Sequence, residues 1–191
     1  MNAQASPEAE ALPTDDADIE TEMRLRYSAI RSGVPVGVPL TLLHIGAEQT
    51  AVATGSGMEP GAMLTLAIGT LKTAADHFKH DAPTPGEMEN AIAAVEDEVA
   101  RARQMISADA TLYTTDAAIR EIAHLAGVLD RPELILTRDA LERTFERLLA
   151  LTLGRPASRE GLPSSTAFAA ALLILREFMH HLQFSAITVK T

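Results

Sequence analysis

The sequence predicts an α/β protein with a mixed five-stranded sheet flanked by helices. Two observations carry this prediction. Three short apolar segments of strand type follow one another with tight links, which is typical of an antiparallel meander. Longer segments with apolar residues at helical spacing then alternate with short strand-type segments, which is typical of helical crossovers. A chain of 191 residues is also long enough to bury a sizeable core within one domain.

The first half of the chain contains the predicted meander. Glycine and proline between residues 33 and 39 end a first helix, and Gly46–Gln49 forms the turn between the first two strands. Thr70 is predicted to cap the helix that follows the third strand. The predicted elements of this half are a helix over Ile19–Arg31, strands over Leu40–Ile45, Thr50–Thr54 and Ala62–Ile68, and a helix from Thr70 to about His80.

Helices dominate the second half. Thr84, Pro85 and Glu87 have the spacing of a helix cap followed by a capping box. Either Ser164 or Ser165 is predicted to cap the last helix. The predicted elements are a helix from Pro85 with an apolar stripe as far as Ile106, a strand over Ala110–Tyr113, a helix over Asp116–Leu125 ended by Gly127, a helix from Thr137 to about Leu153, a helix over Thr166–Leu182 and a strand over Phe184–Val189.

Charge and composition limit the classes of function that this sequence can have. The formal net charge is -10, and seven uncompensated acidic residues lie within the first 22 positions. We therefore predict an acidic disordered tail over residues 1–18 and a single domain over residues 19–191. Clustered lysine and arginine are lacking, which argues against nucleic-acid binding. We also expect no signal peptide and no membrane span, and the absence of cysteine fits a cytoplasmic protein.

An ordered series of short motifs points to a known family. Thr21-Glu22-Met23-Arg24-Leu25 stands in place of a Glu-Glu-Ala-Arg-Leu helix, and His44 to Ala51 in place of Asp-Ile-Gly-Gly-Gly-Ser-Thr-Glu. Asp116-Ala117-Ala118 falls at a Gly-Gly-Thr turn, and Gly161-Leu162-Pro163 is similar to a terminal Leu-Pro-Gly. With this series the chain resembles the second ribonuclease-H-like lobe of the bacterial Ppx/GppA exopolyphosphatase family, which has the actin, Hsp70 and sugar-kinase fold. The resemblance covers roughly Ile19 to Val189.

The resemblance implies a phosphate site, and departures from the family pattern imply that it is degenerate. The phosphate-binding candidates that follow from it are Gly46, Ala47, Glu48, Gln49, Thr50 and Gly69. Glu22 is the candidate catalytic base. Only one glycine of the Gly-rich turn remains, Glu48 would repel phosphate, and His44 replaces the family's aspartate. The family's first lobe and its closing Gly-Leu-Arg-Glu-Gly segment have no counterpart in the sequence.

Histidines are the candidate metal ligands. His44 could bind a metal beside Glu48, but a histidine satisfied at the end of the sheet is the simpler interpretation. His77 and His80 could each pair with an aspartate four residues away to clasp a metal. Histidines near a helix C-terminus also interact favourably with the helix dipole, and the same explanation covers His180 and His181.

Three functional hypotheses follow. The leading one is a pseudoenzyme that acts as a stand-alone interaction or regulatory module, with no cofactor. The second is a phosphohydrolase of polyphosphate or guanosine penta/tetraphosphate that uses Mg²⁺ and completes its site with a dimer partner or a separate first lobe. The third is a non-catalytic polyphosphate or nucleotide sensor. A lone lobe leaves a face to be covered, so we also expect a homodimer or another protein partner.

Overall fold

The computed structural model describes residues 15–190, and its elements confirm the predicted mixed sheet flanked by helices. Residues 1–14 of the expected tail lie outside the described residues, and the first helix begins at Asp15, ahead of the predicted Ile19. The helices are α1 (Asp15–Arg31), α2 (Thr70–His77), α3 (Pro85–Ala100), α4 (Ala117–Leu125), α5 (Arg138–Thr152), α6 (Ala157–Glu160) and α7 (Thr166–His181). The strands are β1 (Leu40–Ile45), β2 (Thr50–Gly55), β3 (Ala62–Leu66), β4 (Thr111–Thr114), β5 (Glu133–Thr137) and β6 (Ala186–Lys190).

The sheet has six strands in the order β3-β2-β1-β4-β6-β5. The first three form the predicted antiparallel meander, and β1, β4 and β6 run parallel. The predicted count of five is wrong because β5 was missed; β5 pairs antiparallel with β6 at the edge. Its buried Leu134 and Leu136 alternate with outward residues, but one of these is Ile135, which is 60% exposed. An apolar side chain on the solvent-exposed face hides the alternation of apolar and polar residues that normally identifies a half-buried strand.

Helices cover the two faces of the sheet unequally. Among the helices of residues 15–190, α1 alone packs on one face, where Met23, Tyr27 and Ile30 meet Leu40 and Leu42 of β1. The other face carries the larger core, with α7 packed against α2, α3, α4 and α5. Within residues 15–190 no helix is both long enough and apolar enough to cross a membrane.

Most helix starts agree with the predicted caps. Thr84 accepts a hydrogen bond from the amide of Glu87, Thr137 caps α5 and Ser165 caps α7. The N-cap of α2 is Gly69 rather than Thr70. Two helices end at least about one turn earlier than predicted, α2 at His77 and α3 at Ala100. The apolar stripe beyond α3 continues through turns instead, so spacing alone overestimated the length of the helix.

Arg31 has a different role from the one that its position suggests. The sequence places it where a cation complements the helix dipole, but its side chain is buried at the end of α1. Its guanidinium donates to the carbonyl oxygens of Val38 and Gly55, each at 2.8 Å, and to the Tyr27 hydroxyl at 2.8 Å. Arg31 therefore joins α1 to the loop before β1 and to the end of β2.

Glu87 closes the capping box at the start of α3. One oxygen accepts from the Thr84 amide at 2.8 Å, and the other accepts from the Lys79 amide at 3.1 Å and faces Nδ1 of His80 at 3.0 Å. The backbone hydrogen bond from Thr84, with smaller contributions from His80 and Lys79, lowers the pKa of Glu87 from 4.5 to about 2. Because the folded-state pKa lies below the unfolded one, this stabilisation is present above pH 4.5 and is lost as the pH falls toward 2.

We therefore expect Glu87→Gln to be less stable than the wild type at neutral pH, with a difference that shrinks as the pH falls from about 5 to about 2. Urea unfolding at a series of pH values measures it. Glu89→Gln, on the exposed side of the same helix, is the matched control and should show little difference at any pH. A Glu87→Gln difference that is constant with pH would contradict the assigned role of the carboxylate.

Candidate functional site

The polar site predicted from the sequence lies at the carboxyl ends of β1 and β4. These strands are parallel neighbours, with Leu40 opposite Thr111 and Leu42 opposite Tyr113. His44 therefore comes close to the turn that leads from β4 into α4. Ligands of open α/β sheets bind at the carboxyl ends of such strands, so this edge is the natural place for a site.

Asp116 is the centre of this cluster, and its side chain is only 5% exposed. Oδ1 lies 2.7 Å from Nδ1 of His44 and 2.9 Å from Nη1 of Arg26. Oδ2 accepts a hydrogen bond of 2.7 Å from the amide of Ile45. Since a carboxylate only accepts hydrogen bonds, the tautomer of His44 that fits this contact is the one with Nδ1–H donating to Asp116, although Nη1 of Arg26 also lies 3.2 Å from Nδ1. Both oxygens of the carboxylate are thus occupied.

Arg26 extends the cluster to α1. The same Nη1 donates to Oγ1 of Thr115 at 3.1 Å, and Nε donates to Oε1 of Glu22 at 2.9 Å. Glu22, the candidate base, is therefore paired with a guanidinium that also holds Asp116, and its side chain is 48% exposed. The structure brings Glu22 and His44, which are 22 positions apart, into one network through Arg26.

The turn after β1 packs closely against the start of α2. Gly46 donates its amide to the carbonyl of Gln49 at 2.9 Å, and its own carbonyl accepts from the amide of Thr70 at 2.9 Å. The carbonyl of Ala47 accepts from the next two amides of α2, at 2.9 and 3.1 Å. The first amides of α2 are therefore satisfied by the turn, and an anion would have to displace it to reach them.

Both candidate glycines are explained by this packing. A Cβ on Gly69 would lie 2.4 Å from the carbonyl oxygen of Ala47, and a Cβ on Gly46 would lie 2.8 Å from that of Gln49. Thr50 is fully buried and donates its hydroxyl to the carbonyl of Ile68 at 2.7 Å. A phosphate role for residues 46–50 stays a prediction, and the atoms left to perform it are the exposed amides of Ala47 and Glu48, which have no acceptor within residues 15–190.

A cavity of about 300 Å³ lies beside the cluster, where the beginnings of three helices meet. Its lining includes Thr70 at the start of α2, Ala118 in the first turn of α4, and Ser165 and Ala167 at the start of α7. The Ala118 and Ala167 amides find no acceptor in the described part of the chain. Helix N-termini attract anions, although Glu121 adds a negative charge to the same wall.

The other candidate metal ligands, His77 and His80, lie at the end of α2 and just after it, outside the cluster around Asp116. Asp76 pairs with Lys72 at 2.9 Å, and His80 faces Glu87 rather than Asp76. His77 ends α2. Within residues 15–190, the only three metal-ligating groups that converge are Glu96, Glu177 and His181, a set that includes none of the predicted ligands.

Sequence reasoning missed the roles of Asp116 and Arg26. Asp116 was visible only as a departure from the family's glycine, and nothing local shows that its carboxylate turns back toward β1 instead of capping α4. Its N-cap position makes no side-chain capping hydrogen bond. The spacing of Glu22 and Arg26 was the available signal, since charges at i and i+4 pair on a helix.

The mixed sheet, its strand order and the helices on both faces are those of a ribonuclease-H-like lobe of the actin-like fold. The chain belongs to the Ppx/GppA phosphatase family, which matches residues 18–191. This confirms the resemblance predicted from its motifs. No curated protein matches the chain in sequence.

Solved structures show the same fold. The Aquifex aeolicus member of the Ppx/GppA family is 19% identical with a TM-score of 0.74, over 90% of this chain and 58% of that one. Another structure of the Aquifex aeolicus enzyme is 17% identical with a TM-score of 0.70, over 86% of this chain and 57% of that one. An exopolyphosphatase from Cytophaga hutchinsonii is 16% identical with a TM-score of 0.69, over 90% of this chain and 59% of that one. The chain thus spans well under two thirds of the length of these relatives.

Proposed function

We propose that this protein is a catalytically degenerate Ppx/GppA relative that acts as an interaction or regulatory module in the bacterial cytoplasm. The observation that carries the proposal is the buried carboxylate of Asp116, whose two oxygens both already accept hydrogen bonds. The motif resemblance places it where the family has a glycine that lets the backbone approach phosphate, and it is held by Arg26, His44 and the amide of Ile45. A buried carboxylate at this point repels a phosphate and forms an ion pair with the nearest guanidinium.

The surroundings of Asp116 also disfavour the Mg²⁺ that the hydrolase alternative needs. Mg²⁺ binds through carboxylates that keep lone pairs available and retains several waters. Here both oxygens already accept hydrogen bonds, and the positive charge of Arg26 lies 2.9 Å from Oδ1. Glu22 shares the same guanidinium, so it is poorly placed to activate a water. The residues around Asp116 therefore do not fit the ion.

Phosphate release is the direct test. We expect purified protein to release no phosphate from polyphosphate or guanosine pentaphosphate above a buffer control, with Mg²⁺ or Mn²⁺ present. An active family member under the same conditions is the positive control. Mg²⁺-dependent release that Glu22→Ala abolishes would overturn the proposal and establish the hydrolase, with its site completed by a dimer partner or a separate first lobe.

A second candidate function is supported by the cavity at the three helix starts. Ala118 and Ala167 line it, and their amides have no acceptor within residues 15–190, which suits a non-catalytic polyphosphate or nucleotide sensor. Calorimetry with polyphosphate and with guanosine tetraphosphate separates the two candidates. Ala118→Asp should abolish binding, whereas Leu129→Asp, at a position 74% exposed, should not. A flat titration with the wild type removes the sensor.

Association with a second copy or another protein is part of the leading proposal. The loop before β1 and the β2–β3 loop are joined by a hydrogen bond from the Gly37 amide to the Ser56 carbonyl at 2.8 Å. They carry Val36, Val38 and Met58, which are 65%, 42% and 56% exposed. Neighbouring exposed apolar side chains are typical of protein-binding surfaces. Analytical ultracentrifugation at micromolar concentration tests self-association, and a clean monomer would leave only a different protein as the partner.

A further inference from the structure

Glu96, Glu177 and His181 converge at the C-terminal end of α7, away from the cluster around Asp116. Glu177 and His181 lie one turn apart on α7 and share a face, while Glu96 reaches across from α3. Nε2 of His181 lies 3.1 Å from Oε1 of Glu96 and 3.2 Å from Oε2 of Glu177. The three ligand atoms lie within 4.8 Å of one another.

Glu177 is the unusual member of this set because it is fully buried. Oε1 accepts a hydrogen bond of 2.6 Å from Arg176, but Oε2 has no hydrogen-bond partner in the described part of the chain. The distance of 3.2 Å between Oε2 of Glu177 and Nε2 of His181 is short enough for a hydrogen bond. Nε2 of His181 instead makes its hydrogen bond with Glu96. A buried carboxylate oxygen without a donor is costly, so an additional positive group is expected beside it.

The local balance of charge also favours a cation. Arg176 is shared between Glu177 at 2.6 Å and Glu142 at 3.1 Å. Adding Glu96, three carboxylates stand against one guanidinium in this network. Arg103 lies nearby, but its Nη2 donates to the backbone carbonyl of His181 at 3.1 Å. A dication would neutralise the excess of negative charge.

The geometry suits a tetrahedral ion. Bonds of about 2.0–2.1 Å from Zn²⁺ place neighbouring ligand atoms about 3.3 Å apart. The separations of 3.1 and 3.2 Å around Nε2 of His181 are close to that value. Imidazole with carboxylates is a donor set for Zn²⁺ rather than for Ca²⁺ or Mg²⁺, which prefer oxygen alone. A cavity of about 250 Å³ next to His181, lined also by Arg103 and Ser107, leaves room for a water as the fourth ligand.

We propose that Glu96, Glu177 and His181 form a Zn²⁺-binding site that ties α3 to α7. Its place in the fold separates it from the candidate phosphate site. The 16 residues of α7 make a helix about 24 Å long, and the cavity at the three helix starts lies at its other end. The ion would hold the C-terminal end of α7 against α3 and complete the coordination of Glu177.

The competing interpretation is a proton in place of the metal, with an imidazolium bridging the two carboxylates. Titration calorimetry of chelator-stripped protein with ZnCl₂ distinguishes them. We expect one Zn²⁺ per chain with a dissociation constant of about 1 μM or tighter, and an upward shift of the unfolding temperature with added Zn²⁺. Mg²⁺ should produce neither effect.

Two variants test the proposed ligands, and a third variant is the control for adventitious Zn²⁺ binding. His181→Ala and Glu96→Gln should each weaken Zn²⁺ binding by at least about tenfold, because each removes one of three protein ligands. Both residues are partly exposed, so the variants should fold, and circular dichroism checks this. His180→Ala is the matched control, since His180 is the neighbouring histidine and faces Glu142 instead. Absence of Zn²⁺ binding in the wild type, or equal weakening by His180→Ala and His181→Ala, would overturn the site.

Discussion

Replacing Asp116 by alanine is expected to lower the free energy of unfolding by about 3 kcal/mol. The loss has three sources, all within the cluster. The amide of Ile45 loses its acceptor, Arg26 loses a partner for a half-buried charge, and Nδ1 of His44 loses its acceptor. Asp116 is 7% exposed, so water cannot readily replace the missing carboxylate. Urea unfolding followed by circular dichroism measures the difference.

Two further variants make the result specific. Asp116→Asn keeps an acceptor for Ile45 and loses the charge that holds Arg26, so an intermediate loss is expected. Asp76→Ala removes a carboxylate from a surface pair with Lys72 and should leave the free energy of unfolding nearly unchanged. A loss below about 1 kcal/mol for Asp116→Ala would show that the cluster does not join α1, β1 and α4 in the way described.

Gly69→Ala should destabilise the protein by about 3 kcal/mol or prevent folding, because a Cβ at this position overlaps the backbone of the facing turn. The added carbon would lie 2.4 Å from the carbonyl oxygen of Ala47 and 2.5 Å from the carbonyl carbon of Glu48. Backbone atoms cannot swing aside as the end of a side chain can. The turn would have to separate from α2 and give up the hydrogen bonds from the amides of Thr70 and Leu71.

Gly86→Ala is the matched control for this variant. Gly86 lies in the first turn of α3, and a Cβ there meets nothing within 4 Å. Stability should be unchanged or should rise by about 0.5 kcal/mol, since alanine is the better helix former. Thermal and urea unfolding of both variants give the comparison. Equal stability of Gly69→Ala and the wild type would exclude the close contact between the turn and α2.

The elements that could be predicted from the sequence are those whose signals are local. Short apolar segments with tight links predict the meander. The caps at Thr84, Thr137 and Ser165 can be recognised from a few adjacent residues. The missed strand β5 lies at the edge of the sheet, where Ile135 points outward and removes the contrast between the two faces. The family resemblance rests on the order of motifs and therefore does not depend on such details.

The two side-chain clusters could not be predicted in the same way. Arg26, His44 and Asp116 are separated by up to 90 positions, and their meeting depends on β1 and β4 being parallel neighbours. In the second cluster Glu177 and His181 are one turn apart on α7, but Glu96 comes from α3, 85 positions before His181. The sequence nevertheless contains one signal, which is the charged residue Glu177 within an apolar helix. When such a residue is buried, its charge needs a partner from another part of the chain.

The contacts of Asp116 have a consequence for the history of this protein. Active sites usually reduce stability, because their groups are held ready for a ligand instead of for one another. In the proposed degenerate site the relation is reversed at residue 116, since the carboxylate that would repel a phosphate also joins three elements of the fold. A lineage that regained the family's glycine here would first pass through a less stable protein with an unpaired Arg26. Selection for stability alone would therefore oppose that reversal, whether or not the ancestral reaction were useful.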